Sequence, residues 1–337
     1  MKKVIVIGLD CADPRLVFDR YLDSLPNIKK MLDNSYYGKM RTCFPAITIP
    51  AWMVMASGRE PGSLGVYGFR QRDGTDYDSM KISTSGLMRG PKIWEMIDGK
   101  SILVGLPPTY PPPKINGNVI SCFITPGVES EFTYPPELKS EINGVLDGKE
   151  YLFDVVFRTE SREEVLENLY KMAERRFKVI EYLMKTKPWQ LFWFVEIGVD
   201  RIHHAFWKYA DPEHPKYEPG NKYENVIREY YSYMDKKIGG LLKLVGEDTY
   251  ILIVSDHGAK PMKGAFAIND WLVDKGYLKL KKGAEIKAGD KLNPSKVDWG
   301  ETKAWAWGGY YSRIFINVEG REPEGVVRPS EYENERK

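Results

Sequence analysis

The chain has 337 residues, 42% apolar and 28% charged, with a net charge of +2. That is enough to bury a large core, as one α/β domain with insertions or as two domains, and it excludes a disordered chain. Acidic and basic residues are interleaved, so neither a nucleic-acid groove nor a membrane-surface patch is expected. No apolar run reaches the ~18 residues of a membrane-spanning helix. The N-terminal apolar stretch is short and meets Asp10 without a cleavage-like site, and Cys11, Cys43 and Cys122 are few and scattered. A reduced, cytoplasmic protein is the expectation. Gln71 and Gln190 are the only glutamines among abundant Lys and Glu, a bias that leans toward a thermophile.

The run Val4-Ile5-Val6-Ile7-Gly8-Leu9 reads as a first buried strand, closed by Asp10. A short helix is expected over residues 23–33 and another over 47–58, where Pro50 suits a first turn and Gly58 an end. Residues 62–90 are polar and glycine-rich and read as loops. A strand over 101–106 precedes a proline-rich stretch at 107–113, and 114–155 read as an inserted lobe of strands and turns. Ser161 with Glu164 spells a capping box. After it, Val165, Leu169, Met172, Ala173, Phe177, Ile180 and Met184 make one helical stripe. A second amphipathic helix is expected from about 223 to 245. These helices alternate with apolar runs at 191–196 and 250–254, both read as buried strands, so the sheet is expected to be largely parallel with right-handed crossovers. Residues 276–300, rich in lysine and glycine, read as an exposed excursion.

Three clusters at the ends of apolar runs carry the chemistry. They are Asp10, the pair in Asp200-Arg201-Ile202-His203-His204, and Asp256-His257-Gly258. Asp200 and His204 are four apart and would share one face of a helical turn. Parallel strands deliver such residues to one rim of a sheet, where oxygen and imidazole donors can hold a zinc or manganese pair. A single Asp in such a place is more often a helix cap; three clusters, two of them paired with His, are hard to explain as independent caps. His203 competes with His204, and the one that is not a ligand would pack or orient substrate. A hydroxyl at a helix N-terminus would complete the set, and Thr48, before Pro50, offers one, with an N-cap as its plainer role.

On these residues the chain resembles the alkaline phosphatase superfamily, in its branch of type I phosphodiesterases and nucleotide pyrophosphatases. Thr48-Ile49-Pro50 matches the family's Thr-x-Pro nucleophile motif. Ser57-Gly58-Arg59-Glu60-Pro61 follows with its Gly ten residues on, as in the family. The likeness extends to Pro107-Pro108-Thr109-Tyr110-Pro111, to Arg313-Ile314-Phe315-Ile316-Asn317 and to Gly320-Arg321-Glu322-Pro323. It implies an alkaline-phosphatase-like three-layer αβα core with a mostly parallel central sheet. It implies one catalytic core over residues 1–337, short of the family's C-terminal region, with inserted segments at about 66–95, 107–155 and 260–300. It implies two divalent ions, zinc ahead of manganese. Asp10, Thr48, Asp256 and His257 match the ligands of one, and Asp200 and His204 match two of the three ligands of the other. The implied reaction is hydrolysis of a phosphodiester or phosphomonoester through phospho-Thr48, on a small phosphorylated substrate such as a nucleotide, in a monomer or homodimer.

The chain departs from the family in three places. No His follows His257, so the third ligand of the Asp200/His204 ion is missing. Phe69 stands where nucleotide pyrophosphatases place an Asn that holds a phosphate oxygen, which leaves that role to Arg70 or to metal and backbone alone. Thr48-Ile49-Pro50-Ala51 lacks the Arg of sulfatases, which sets a sulfatase aside. Two further readings stay open: a phosphomutase of the same superfamily, and a phosphate-ligand-binding protein impaired by the missing ligand. Tyr67, Phe69, Tyr110, Trp207, Trp305, Trp307, Tyr310 and Tyr311 are candidates to stack a base or sugar, with core packing as the plainer role. Arg70, His203 and Tyr110 complete the candidate site as substrate-binding residues.

Overall fold

A computed structural model describes residues 2–287 and 290–337. In chain order the first half forms β1 (Lys3–Leu9), α1 (Pro26–Leu32), α2 (Thr48–Ser57), α3 (Pro61–Leu64), β2 (Arg70–Arg72), β3 (Met80–Ile82), α4 (Ile93–Met96), β4 (Ser101–Val104), β5 (Gly117–Ile120), β6 (Thr133–Tyr134) and α5 (Leu138–Val145). The second half forms α6 (Arg162–Thr186), β7 (Leu191–Glu196), α7 (Gly198–Ala210), α8 (Val226–Leu242), β8 (Thr249–Val254), α9 (Ile268–Asp274), β9 (Ala304–Trp307), β10 (Arg313–Ile316) and α10 (Tyr332–Glu335). The chain divides into two compact units, Met1–Phe69 with Ser83–Met262, and Arg70–Ile82 with Lys263–Lys337. Among the described residues no helix is long and apolar enough to cross a membrane.

The first unit is the expected three-layer core. Its six-stranded sheet runs β6-β5-β4-β7-β1-β8, parallel throughout except for β6 against β5. Side chains alternate along each strand, and both faces are covered. Ile5, Ile7 and Leu9, with Phe192 and Phe194, pack into a core that includes the α6 stripe and the inner faces of α7 and α8. Val6, Leu103, Trp193 and Val195 pack against Ile49, Trp52 and Met53 of α2 on the other side. Since β1, β7 and β8 run side by side in one direction, the residues that follow them emerge at one edge of the sheet.

A buried ion pair ties the layers together near that edge. Glu196, the last residue of β7, accepts from Arg176 Nη1 at 3.1 Å and from the Gly198 N–H at 2.8 Å. Arg176 also donates to the carbonyls of Leu152 and Phe153. Both side chains are almost wholly buried. Removing the cation alone strands a carboxylate without water. Arg176→Met is expected to cost about 3–5 kcal/mol in chemical denaturation; a loss under about 1 kcal/mol would show that Glu196 needs no partner there.

Several local expectations are corrected. The capping box at Ser161 does not form: the residue sits at φ −76°, ψ 72°, short of the extended backbone that aims a cap oxygen at the first turn, and it makes no side-chain cap bond. Residues 62–90 are not all loop. They hold α3 and the hairpin strands β2 and β3, which at three residues each are too short to show a readable alternation. The stretch 114–155 adds β5 to the central sheet and contains the helix α5. The strand β8 is not buried. It pairs only with β1 and stands at the sheet edge, with Tyr250, Ile251 and Leu252 exposed.

The second unit has an aromatic core of its own. Tyr77 stacks on Trp299 at 3.6 Å between ring centres, and Trp305 meets both rings edge-on. Buried Asn317 donates to the carbonyls of Trp299, Thr302 and Glu324 and accepts from the Tyr77 hydroxyl, so it holds four chain segments together. The fully buried carboxylate of Glu322 pairs with Arg72 and Arg321. Trp305 therefore packs in a core, and the late Arg313–Ile316 strand and its following turn are structural here.

Candidate active site

Four chain segments carry the candidate residues: the ends of β1 and β8, the start of α2, and α7. Asp10 follows β1 and is fully buried. One of its oxygens, Oδ2, accepts from Trp52 Nε1 at 2.7 Å; the other, Oδ1, has no hydrogen-bond partner. Asp256 follows β8 and is also buried. Its Oδ1 accepts the Cys11 N–H at 3.0 Å, and its Oδ2 is unpartnered. Both unpartnered oxygens face His257 Nε2, at 3.6 Å for Asp10 and 3.3 Å for Asp256. Burial first, and then the charges of Asp256 and Asp200, push the Asp10 carboxyl well above the usual carboxylate range. Burial likewise raises Asp256 to about 6. Two buried carboxylates whose bare oxygens converge, without hydrogen-bond partners among the described residues, suit a cation between them.

Thr48 is the first residue of α2 and is buried, with Ile47 as N-cap. Ile47 has no polar side chain with which to cap the helix. Thr48 Oγ1 lies 3.2 Å from His257 Nε2. The other ring nitrogen of His257, Nδ1, is 3.1 Å from the Gly258 carbonyl, which can only accept. With Nδ1–H donating to that carbonyl, a singly protonated ring turns its Nε2 lone pair toward Thr48 and the two carboxylates. At the far end of α2 the chain turns at Gly58, whose φ of 66° suits glycine and stops the helix where the sequence expects it.

The second half of the site is on α7. Asp200 and His204 stand one turn apart with Asp200 Oδ2 3.4 Å from His204 Nε2. Burial lowers the His204 pKa, so the ring is a neutral donor of its lone pair. It stacks on Phe157 with ring centres 5.0 Å apart. Asp200 is held by its neighbour: Arg201 Nη1 donates to Oδ2 at 2.6 Å, while Nε and Nη2 form a two-pronged bond to Asp154 at 2.6 and 2.7 Å. The guanidinium also lies over Phe157 and Phe123. Burial works against its charge, but Asp154 and Asp200 outweigh that and raise its pKa.

Asp10, Asp256 and His257 offer ligand atoms that all lie within 4.8 Å of one another. With two bare carboxylate oxygens, a free imidazole lone pair and a hydroxyl converging, the donor set fits a divalent ion.

Of the residues expected to bind substrate, His203 is buried, Tyr110 half-buried and Arg70 exposed. His203 is buried behind the site, with Nδ1 3.4 Å from Cys11 Sγ and Nε2 3.2 Å from the Tyr231 hydroxyl. Burial lowers its pKa to about 4, and it acts as a neutral packing and hydrogen-bonding group. Tyr110 is half-buried and its carbonyl accepts the Ser85 N–H. Arg70 opens β2 in the second unit and is exposed. Sequence reasoning missed Trp52, Cys11, Arg201 and Asp154. Trp52, four residues after Thr48 on the same helix face, was the most readable of these.

Gly8 makes the Trp52 contact possible. A Cβ there would sit 2.6 Å from Trp52 Cη2 and 2.9 Å from Val195 Cγ2. Gly8→Ala is expected to drive the indole off Asp10 and to cost about 1–3 kcal/mol of stability. Loss of the buried-indole fluorescence signature together with weaker metal uptake would report this; unchanged uptake would show that Asp10 needs no indole donor.

Crystal structures of phosphonoacetate hydrolase from Sinorhizobium meliloti 1021, in complex with phosphonoformate and with phosphonoacetate, are similar in fold. Their TM-scores are 0.55 and 0.56 at 14% identity, covering 81% and 85% of this chain and 62% and 66% of theirs. The chain thus spans under two thirds of the length of those structures. Among curated proteins no sequence match is found. The family described as type I phosphodiesterase / nucleotide pyrophosphatase matches residues 4–337, and the chain belongs to that family.

Proposed function

We propose that this chain is a metal-dependent phosphoric ester hydrolase that acts on a small phosphorylated substrate with Thr48 as its nucleophile. The observation that carries the reading is the approach of Thr48 Oγ1 to His257 Nε2 at 3.2 Å, beside the bare oxygens of Asp10 and Asp256. Asp10, Thr48, Asp256 and His257 would hold one divalent ion, and Asp200 with His204 a second, zinc ahead of manganese. When bound, such ions supply positive charge that lowers the proton affinity of the Thr48 hydroxyl and neutralises the phosphoryl oxygens.

The chain's own residues do the rest. Thr48 Oγ1 gives its proton to solvent and bonds to phosphorus, while the bond from phosphorus to the departing oxygen breaks and that oxygen takes a proton from solvent. Phospho-Thr48 then lies at the first turn of α2, where helix N–H groups lack intrahelical acceptors and favour an anion. Water attacks phosphorus and gives up one proton, the Thr48 oxygen leaves and takes a proton in its place, and phosphate or a phosphomonoester departs. Arg201, fixed by Asp154, keeps the Asp200 carboxylate from turning away. The three free cysteines support a reducing compartment, the cytoplasm.

The test is an assay of zinc-loaded and manganese-loaded protein with p-nitrophenyl phosphate, bis(p-nitrophenyl) phosphate and a nucleoside triphosphate. Turnover that a chelator stops and added ion restores is the expected result. No turnover of any ester under either ion would sink the hydrolase. Stoichiometric ester binding without turnover would favour the binding-protein reading, and an isomeric monoester without free phosphate the mutase.

A further inference from the structure

Cys11 follows Asp10 at the end of β1 with φ 63°, in the left-handed region that residues with a side chain rarely enter. The turn sends the thiol inward, 4% exposed. Its Sγ is 3.4 Å from the Gly258 carbonyl and 3.4 Å from His203 Nδ1. Cys11 Sγ, an Asp200 oxygen and a His257 ring nitrogen all lie within 4.8 Å of one another. This set overlaps the one built from Asp10, Asp256 and His257, with His257 common to both. Donor atoms around one tetrahedral zinc, at bonds of about 2.0–2.3 Å, sit roughly 3.3–3.8 Å apart, so small side-chain movements would bring Cys11 Sγ and the Asp200 oxygen onto one ion. The bare, buried Asp10 Oδ1 and Asp256 Oδ2 face the shared His257 Nε2 at 3.6 and 3.3 Å, so the pocket that Cys11 enters is one that suits cations.

We propose that Cys11 is a thiolate ligand of the ion held by Asp200, which makes this half of the centre a mixed sulfur, oxygen and nitrogen site. The proposal rests on the metal-dependent reading above. On binding, the S–H proton leaves to solvent and the sulfur–metal bond replaces it, with no change of oxidation state. His203 is built to support the sulfur. With Nε2 accepting from the Tyr231 hydroxyl, the singly protonated ring carries its proton on Nδ1, facing Sγ. Such hydrogen bonds to a metal-bound ligand fix its orientation. The sulfur also supplies a donor to Asp200 that α7 does not. Its softness selects zinc, cobalt or cadmium over manganese or magnesium at that position.

Cobalt(II) reads the ligand directly, because a cobalt–thiolate bond gives an intense near-ultraviolet charge-transfer band that oxygen and nitrogen ligands do not. The full chain, stripped of metal and titrated with cobalt, is expected to show the band. Cys11→Ser and Cys11→Gly should lose it, while Cys43→Ser and Cys122→Ser keep it. Glycine suits φ 63°, so Cys11→Gly is expected to stay folded by circular dichroism even if the serine variant does not. In the Cys11 variants the preference for cadmium over manganese should fall by at least about tenfold. Stoichiometric cobalt in the wild-type chain without the band overturns the thiolate alone, as does a band that survives in Cys11→Gly. No cobalt bound at all overturns the metal-dependent reading and the thiolate with it.

Discussion

Thr48→Ala is expected to lose turnover by about four orders of magnitude or more, with folding and metal uptake nearly intact. The two roles open to this residue predict opposite results. A threonine that caps a helix stabilises the protein by roughly 1 kcal/mol, and its loss is read in the melting temperature. Thr48 is already inside α2, with Ile47 as N-cap, so its hydroxyl stands outside the position from which a side chain caps a helix. It faces His257 Nε2 instead. The stability change in Thr48→Ala is therefore expected to stay under about 1 kcal/mol. Acid quench of the wild-type enzyme during turnover should trap phosphate on threonine, and the Ala variant should trap none. A variant that keeps most of its activity would remove Thr48 as nucleophile. A variant that keeps full activity and loses about 1 kcal/mol or more of stability would make it a cap after all.

Much of the site was legible because each candidate closes an apolar run. In a parallel sheet the residues after Leu9, Glu196 and Val254 must meet at one edge, whatever the helices do between them. The helical spacing of Asp200 and His204 was enough to place both on one face of α7. What stayed hidden are the partners that fix these groups. Arg201 was in view, but its Asp154 partner lies 47 residues away, and no spacing rule joins them. The contact between Trp52 and Asp10 spans 42 residues and depends on Gly8 leaving room for an indole. The exposure of β8 was unreadable for a related reason. The run Tyr250-Ile251-Leu252-Ile253-Val254 is as apolar as a central strand, and only the strand order puts it at the edge. The aromatic residues near 305 divided on the same principle: stacking on Tyr77 and Trp299 places Trp305 in a core, and its sequence neighbourhood could not distinguish a core from a ligand face.

The second large effect is a reversal of sign at Asp256. In metal-free protein its carboxyl is held at about 6 by burial, above the usual carboxylate value. The folded state therefore binds a proton that the unfolded state has already released, and the derivative of stability with pH is negative across that interval. The contribution of Asp256 is fully present below the unfolded value near 4 and is lost as pH rises through 6. Asp10 is shifted in the same direction and adds to the slope. A divalent ion replaces the proton. Its stabilisation should grow with pH over the same interval, reaching about 2.7 kcal/mol when free metal is a hundred times its Kd. Other carboxylates, such as Asp13 and Glu141, are shifted downward and titrate with the opposite sign, so the difference between wild type and variant is the quantity to read. Asp256→Asn keeps an oxygen to accept the Cys11 N–H and removes the charge. Stripped of metal at pH 8, it should melt higher than the wild type; with zinc added, it should melt lower. Melting curves of both proteins at pH 5 and pH 8, with chelator and with zinc, decide the matter. A metal-free variant less stable than the wild type at pH 8 would mean that the Asp256 charge serves the fold rather than an ion.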